Sequence, residues 1–539
     1  MSVPISASEH PRAGRREWIG LSVLALACLL YVMDLTVLHL AVPALSADLQ
    51  PTSAQLLWII DIYGFMVAGF LITMGTLGDR IGRRRLLMIG AAAFGATSLL
   101  AAFSTSAEML ILSRALLGIA GATLAPSTLS LIFSMFQDPG QRARAIAVWI
   151  SAFSAGSAIG PVLGGVFLEH FWWGSVFLLA VPVMAVLLVL GPIVLPEYRD
   201  PDAGRLDLPS AAMSLIAVLA VIFGLKQVAQ DGPGLQALAA VALGLVAGAL
   251  FVRRQLRLAD PVIDLGLFRI PSFSAALAVN FLSVFVAVGY FLFVAQFLQL
   301  VLELSPLEAG LWSVPSAVAF VVGSNSGPRL VRVFGPATVI AAGLATAALG
   351  LALLTQAGVG DPGVALAVVI GASIVISLGL APVFGLTTEL IVGSAPPERA
   401  GAASGISETG AELGGALGIS VLGSIGVAIY RRTIDGELPD SVPAAAAAAA
   451  RDTLGAAVAV AAELPVALAA AVLDVARGAF VSGMVVTAAL TGVLALGVAV
   501  FALVSLRGLR PSGGAGADDE ASGPSNLEFA TQRVLDTDR

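Results

Sequence analysis

The chain has 539 residues, of which 58% are hydrophobic and only 12% charged, with a mean hydropathy of +0.96. Soluble globular proteins carry about 25% charged residues, and so few charges cannot clothe a water-facing surface, which excludes a soluble enzyme. The net charge of −7 decides little, because opposite charges can sit on opposite faces of a membrane.

The functional side chains are equally restrictive. A single cysteine, Cys28, allows neither an internal disulfide nor a thiolate cluster. His10, His39 and His170 lack metal-ligand spacing. Lys226 is the sole lysine and stands in Phe-Gly-Leu-Lys-Gln, so no phosphate-cradling loop of the GxxxxGK[ST] kind exists. No nucleotide, cofactor, metal or nucleic acid is expected to be a partner.

At about 20 apolar residues per spanning helix, fourteen segments qualify. Residues 1–16 carry Arg12, Arg15 and Arg16 and read as a cytoplasmic lead. The first span, 17–43, is too long for a signal-peptide core and contains Tyr31 and Asp34. The second, 54–78, holds Trp58, Asp61 and Tyr63, with Asp61 roughly 10 Å below its outer end at ~1.5 Å per residue. It leads into an inner loop with Gly75, Asp79, Arg80, Gly82, Arg83 and Arg84, whose glycines suit a tight turn. After span 86–104, span 109–133 contains Arg114, the one basic residue placed inside a span. Burying it alone is costly, so an acidic partner or a water-filled cavity is implied. Span 142–168 carries Trp149, then Gly156, Gly160, Pro161, Gly164 and Gly165, small residues that let helices approach closely beside a helix-bending proline.

Span 175–195 closes a first six-helix bundle, 17–195. Spans 207–228 and 235–252 read as an inserted pair within 196–272, and spans 273–301, 307–330, 336–356, 363–393, 400–430 and 477–506 as a second bundle, 273–506. The inner loop Leu77-Gly78-Asp79-Arg80-Ile81-Gly82 is echoed by Leu330-Val331-Arg332-Val333-Phe334-Gly335, which supports this division. Glu389 lies near the inner end of its span, and Glu408 and Glu412 share one face as an i, i+4 pair. Two carboxylates on one helix face in low dielectric do not readily ionise together and are expected to titrate as a unit. Residues 431–476 are expected to form an external loop with an amphipathic hairpin, and 507–539 a disordered cytoplasmic tail. With both termini inside, the inner segments collect twenty arginines, while the outer side holds five basic residues, Lys226, Arg431, Arg432, Arg451 and Arg477. That asymmetry follows the positive-inside rule.

The Gly75–Arg85 loop, Arg114, the Gly156–Gly165 element and the Asp34-Leu35-Thr36 to Ala41-Val42-Pro43 ending together resemble signatures of the major facilitator superfamily, over residues 17–506. More narrowly they resemble its fourteen-helix drug/proton antiporters, the multidrug efflux pumps for quaternary ammonium compounds and dyes. The resemblance implies an all-α polytopic membrane protein of the bacterial cytoplasmic membrane, monomeric, exchanging protons for lipophilic cations by alternating access. Phe320, Ser407-Glu408 and His39 depart from patterns seen in some relatives.

Asp34, Asp61, Glu408, Glu412 and Glu389 are the candidate proton- and cation-binding acids; five acids against one base favour a cationic passenger. Each is otherwise a structural acid held by Arg114, backbone donors or water. Tyr31, Trp58, Tyr63 and Trp149 are candidate stacking surfaces for planar cations, or else packing residues. The alternatives are an exporter of an endogenous metabolite and a non-transporting envelope-assembly partner.

Overall fold

The computed structural model describes residues 12–199, 207–231, 234–258, 261, 263, 265–358, 360–395 and 400–507. The N-terminal stretch to residue 11 and the tail from 508 lie outside them. Within them every regular element is a helix.

The first bundle comprises α1 (Arg15–Leu49), α2 (Ser53–Ile81), α3 (Arg83–Ala102), α4 (Ala107–Gly121), α5 (Leu124–Met135), α6 (Pro139–His170), α7 (Ser175–Leu178) and α8 (Ala180–Val194). The inserted pair is α9 (Leu208–Asp231) and α10 (Leu235–Gln255). The second bundle runs from α11 (Pro271–Gln296), which ends in a π-helical turn at Phe297–Val301, through α12 (Pro306–Trp312), α13 (Val314–Phe334), α14 (Pro336–Leu354), α15 (Pro362–Ser394) and α16 (Ala400–Glu437). Two short helices, α17 (Ala444–Asp452) and α18 (Leu454–Ala461), then lead to α19 (Val466–Ser505). Among the described residues twelve helical stretches are long and apolar enough to cross a membrane, with α4–α5, α7–α8, and α12–α13 each making one crossing. The other two expected crossings fall on α6, of 32 residues, and α9, whose apolar part spans Leu208–Gly224.

Local chemistry sets the starts of these helices. Thr52 and Gln55 cap each other's backbone at the head of α2, and Ser305 and Glu308 do the same before Pro306 on α12. Asp138 and Asp361 cap α6 and α15, each followed by a proline at the first helical position. The expected external loop is shorter than 431–476. α16 carries on to Glu437, and α19 begins at Val466, directly after Pro465, which can precede a helix but not continue one. α17 and α18 form the hairpin between.

The two halves repeat. α2 and α3 meet at Gly82 (φ 110°), and α13 and α14 meet at Gly335 (φ 76°), the two glycines of positive φ among the described residues. A seam of small residues repeats as well. Gly156, Gly160 and Gly164 of α6 lie against Leu29, Met33 with Thr36, and Val37 of α1. Gly414 and Gly418 of α16 lie against the Phe281 and Phe285 backbones of α11. Between the halves, Gly165 faces Pro306, and Gly310 faces the Pro161 carbonyl.

At Gly156 an added Cβ meets the Leu29 backbone, which cannot yield as a side chain can, whereas at Gly371 of α15 it meets nothing within 4 Å. Gly156→Leu is therefore expected to destabilise by about 1–3 kcal/mol through overpacking, with Gly371→Leu close to neutral. Thermal melting of the purified variants in one detergent checks this.

Candidate functional site

Among the described residues the most deeply buried charge is Arg114, on α4. Its Nη1 donates to Asp34 Oδ2 of α1 at 2.7 Å, and its Nε donates to the Ile59 carbonyl of α2 at 3.1 Å. The guanidinium carbon lies 4.8 Å from the Tyr63 ring centroid and 5.9 Å from that of Phe177. A cation removed from water needs a counter-ion and hydrogen-bond acceptors; α1 and α2 provide them, and α2 and α7 add aromatic faces. Gly118 and Gly121, flanking turns of α4, leave room for Tyr63 itself.

Two other acids reach across the halves. Tyr31 of α1 donates to Glu412 Oε1 of α16 at 2.6 Å, and the opposite carboxylate oxygen faces Gly64 of α2. Ser420 of α16 donates to Asp61 Oδ2 of α2 at 2.8 Å. Glu408 stands half-buried one turn before Glu412 on the same row of α16. The structure thus gathers Asp34, Asp61, Glu408, Glu412, Arg114, Tyr31 and Tyr63 about the meeting of α1, α2, α4 and α16. The Tyr31 and Tyr63 rings stand 6.1 Å apart.

The remaining candidates lie elsewhere. Glu389 is exposed on α15 and does not join the cluster. Trp58 packs edge-on against Phe65 at 6.2 Å, on the side of α2 that meets α9. Trp149 donates to the Thr128 hydroxyl at 3.2 Å inside the first half, where Cys28 also meets Thr128 at 3.4 Å. His39 Nδ1 is buried with no hydrogen-bond partner among the described residues.

The Gly75–Arg85 turn forms a separate network. Asp79 accepts from Arg83 Nε at 2.8 Å, and Arg84 donates to the Leu195 carbonyl at 3.0 Å while its backbone N–H donates to Glu197 at 3.1 Å. Gly82 is packed against the Glu197 carboxylate, where a Cβ would collide. Gly75 lies near Pro126, and Arg80 is exposed.

Sequence reasoning missed Ser420 and Glu197. For Ser420 a signal was present: with Glu408, Glu412 and Ala416 it makes one i, i+4 row along α16. Glu197 lies outside any span and carried no pattern.

A family model described as the Major Facilitator Superfamily matches residues 24–419. The chain is 44% identical to the "Multidrug efflux pump LfrA" of Mycolicibacterium smegmatis, over 92% of this chain and 97% of that protein. It is 38% identical to the "Methyl viologen resistance protein SmvA" of Salmonella typhimurium, over 86% and 93%. It is 32% identical to the "Tetracenomycin C resistance and export protein" of Streptomyces glaucescens, over 93% and 94%. Among solved structures, an inward-facing bacterial homologue of the human lysosomal transporter Spinster superposes with a TM-score of 0.62 at 18% identity, covering 92% of this chain and 99% of that one.

Removing either partner of the Arg114–Asp34 pair strands a buried charge. Arg114→Gln and Asp34→Asn are each expected to destabilise by about 3–5 kcal/mol, and the double variant by less than the sum of the two. A double-mutant cycle on thermal unfolding measures the coupling.

Proposed function

Because the chain belongs to the Major Facilitator Superfamily, we propose that it is a proton-coupled multidrug exporter. Its cargo is lipophilic cations, including dyes and quaternary ammonium compounds. It works as a monomer in the bacterial cytoplasmic membrane, with the arginine-rich face and both termini in the cytoplasm. The relatives named for multidrug efflux, methyl viologen resistance and tetracenomycin C export support drug export as the activity.

The observation that supports the coupling is the Tyr31–Glu412 hydrogen bond, in which a carboxylate of the second half meets a side chain of the first. Arg114 is engaged by Asp34, which leaves Glu408 and Glu412 of the second half as the acids on which protons and cargo act. A proton on Glu412 and a cation beside it are alternatives at one carboxylate, and arrival of one favours departure of the other. The halves are joined at mid-depth by Tyr31–Glu412 and Ser420–Asp61. Towards the arginine-poor ends they are joined by Gln299 to the Leu40 carbonyl at 3.0 Å and by Ser53 to the Asp452 carbonyl. This distribution supports an arrangement closed outside and open to the cytoplasm, from which cargo is loaded. Rocking the halves then separates Tyr31 from Glu412 and opens the carboxylate to the outside, where a proton replaces the cation. One proton per monovalent cation leaves exchange electroneutral; a second would add about 2.3 kcal/mol per 100 mV of membrane potential.

Ethidium flux into or out of proteoliposomes under an imposed pH gradient tests this reading. Wild-type transport should follow the gradient, Glu412→Gln and Asp34→Asn should abolish it, and Tyr31→Phe should slow it about tenfold, the worth of one charged-group hydrogen bond. Gradient-independent flux, or full activity in Glu412→Gln, would overturn proton coupling at this carboxylate. Flux of a neutral solute that survives in both acid variants would favour export of the cell's own metabolite.

A further inference from the structure

The inserted pair lies along the seam between the halves. α9 fills the hollow over Gly69 of α2 with Leu215, and Phe65 of α2, Ile222 of α9 and Ala416 of α16 form one small buried cluster. α10 packs on α9 through Gly244, whose position admits no side chain beside the Ala217 carbonyl and Val221. Between α9, α10 and α16 remains an open groove of about 720 Å³, within the roughly 300–1,000 Å³ of small-molecule sites. Its walls are apolar, from Gly248 and Ala249 of α10 to Leu413 and Leu417 of α16, and among the described residues the one charged side chain that lines it is Arg253.

That charge lies at the arginine-rich end. Arg254 beside it is engaged, donating to both oxygens of Asp207 at 2.8 and 3.1 Å, with Ser210 and Gln255 completing a clamp between the start of α9 and the end of α10. Arg253 and Arg257, one turn apart, are both exposed. An apolar slot with a guanidinium at its inner end repels a lipophilic cation and matches an acyl chain beneath an anionic headgroup.

We propose that this groove binds an anionic phospholipid of the inner leaflet, one acyl chain between α9, α10 and α16 and its phosphate on Arg253, with Arg257 nearby. Leu413 follows Glu412 in α16, so the bound chain bears on the helix that carries the coupling carboxylates. The lipid acts as a wedge between the inserted pair and the second half, and gives α9 and α10 a role beyond that of spacer.

The test uses the purified full chain equilibrated with equal dioleoylphosphatidylglycerol and dioleoylphosphatidylcholine, with retained lipid counted by native mass spectrometry. Gly248→Leu fills the groove from a position where an added Cβ meets only Ala217 Cβ, at an ordinary 3.7 Å. Ala249→Phe, on the exposed side of α10, fills it independently if Gly248→Leu does not fold. Wild type should retain one more phosphatidylglycerol than either filled variant, and Arg253→Gln should cut the preference for phosphatidylglycerol about fivefold. Equal retention in wild type and filled variants, or phosphatidylcholine held as firmly as phosphatidylglycerol, overturns the proposal. So does loss of ethidium binding, with lipid retention unchanged, in the filled variants, which would make the groove a cargo port. Lipid retention is read without transport, so this result stands apart from the outcome of the flux experiment.

Discussion

Everything in the site depends on neutralising one arginine. A guanidinium at the centre of a spanning helix costs about 2.5–3.5 kcal/mol or more if left to itself. Arg114 is therefore met by the Asp34 carboxylate, the Ile59 carbonyl and two aromatic faces, drawn from three helices. None of α1, α2, α4 and α7 can slide by a turn without uncovering that charge, which makes the first half one body. The same pair sets the register of α1 and so the place of Tyr31, three residues before Asp34 and one helical turn away. The hydroxyl that reaches Glu412 is aimed by a salt bridge it does not touch.

The halves share a framework and differ in charge. Both turn through a positive-φ glycine between their second and third spans, and both hold their first and fifth spans together through glycines on one face. In the first half the acid in the first span is matched by Arg114. In the second, α16 carries Glu408 and Glu412 beside the glycine face of Gly414 and Gly418, and no arginine or lysine stands within that bundle's spans near mid-depth. One half thus carries an acid matched by its own arginine, and the other carries acids with no arginine or lysine of their own bundle near mid-depth.

Most of the fold was legible, because hydrophobic run length and arginine placement are properties of the chain alone. Helix ends were less so: α19 takes in Val466–Val475 because Pro465 permits a start there, although the stretch lacks the Leu/Phe/Ile density of the other spans. The candidate acids were legible as residues out of place in an apolar run, and so was the need of Arg114 for a partner. The choice among several acids was not, since Asp34 and Arg114 are eighty positions apart and meet only through the packing of α1 on its neighbours. Glu389 shows the limit from the other side: it lies near a span's end and is exposed rather than turned into the cluster, which sequence depth alone does not reveal. Ser420 was readable only once the row through Glu408 and Glu412 was extended two turns past the charges.

α16 shows why these features act together. Successive residues on a helix point about 100° apart, and Glu412, Leu413 and Gly414 therefore face three different neighbours. Glu412, with Ala416 and Ser420 on its row, looks to the first half; Leu413 and Leu417 look to the inserted pair; Gly414 and Gly418 look to α11. The glycine face allows close approach and holds the helix to its own half, so α16 moves with that half. The Tyr31–Glu412 and Ser420–Asp61 bonds sit on a single face, eight residues or about 12 Å apart. A rotation of the second half that opens one of them opens the other. Asp61 and Glu412 are thereby linked through the geometry of one helix, with no need for direct contact between their charges.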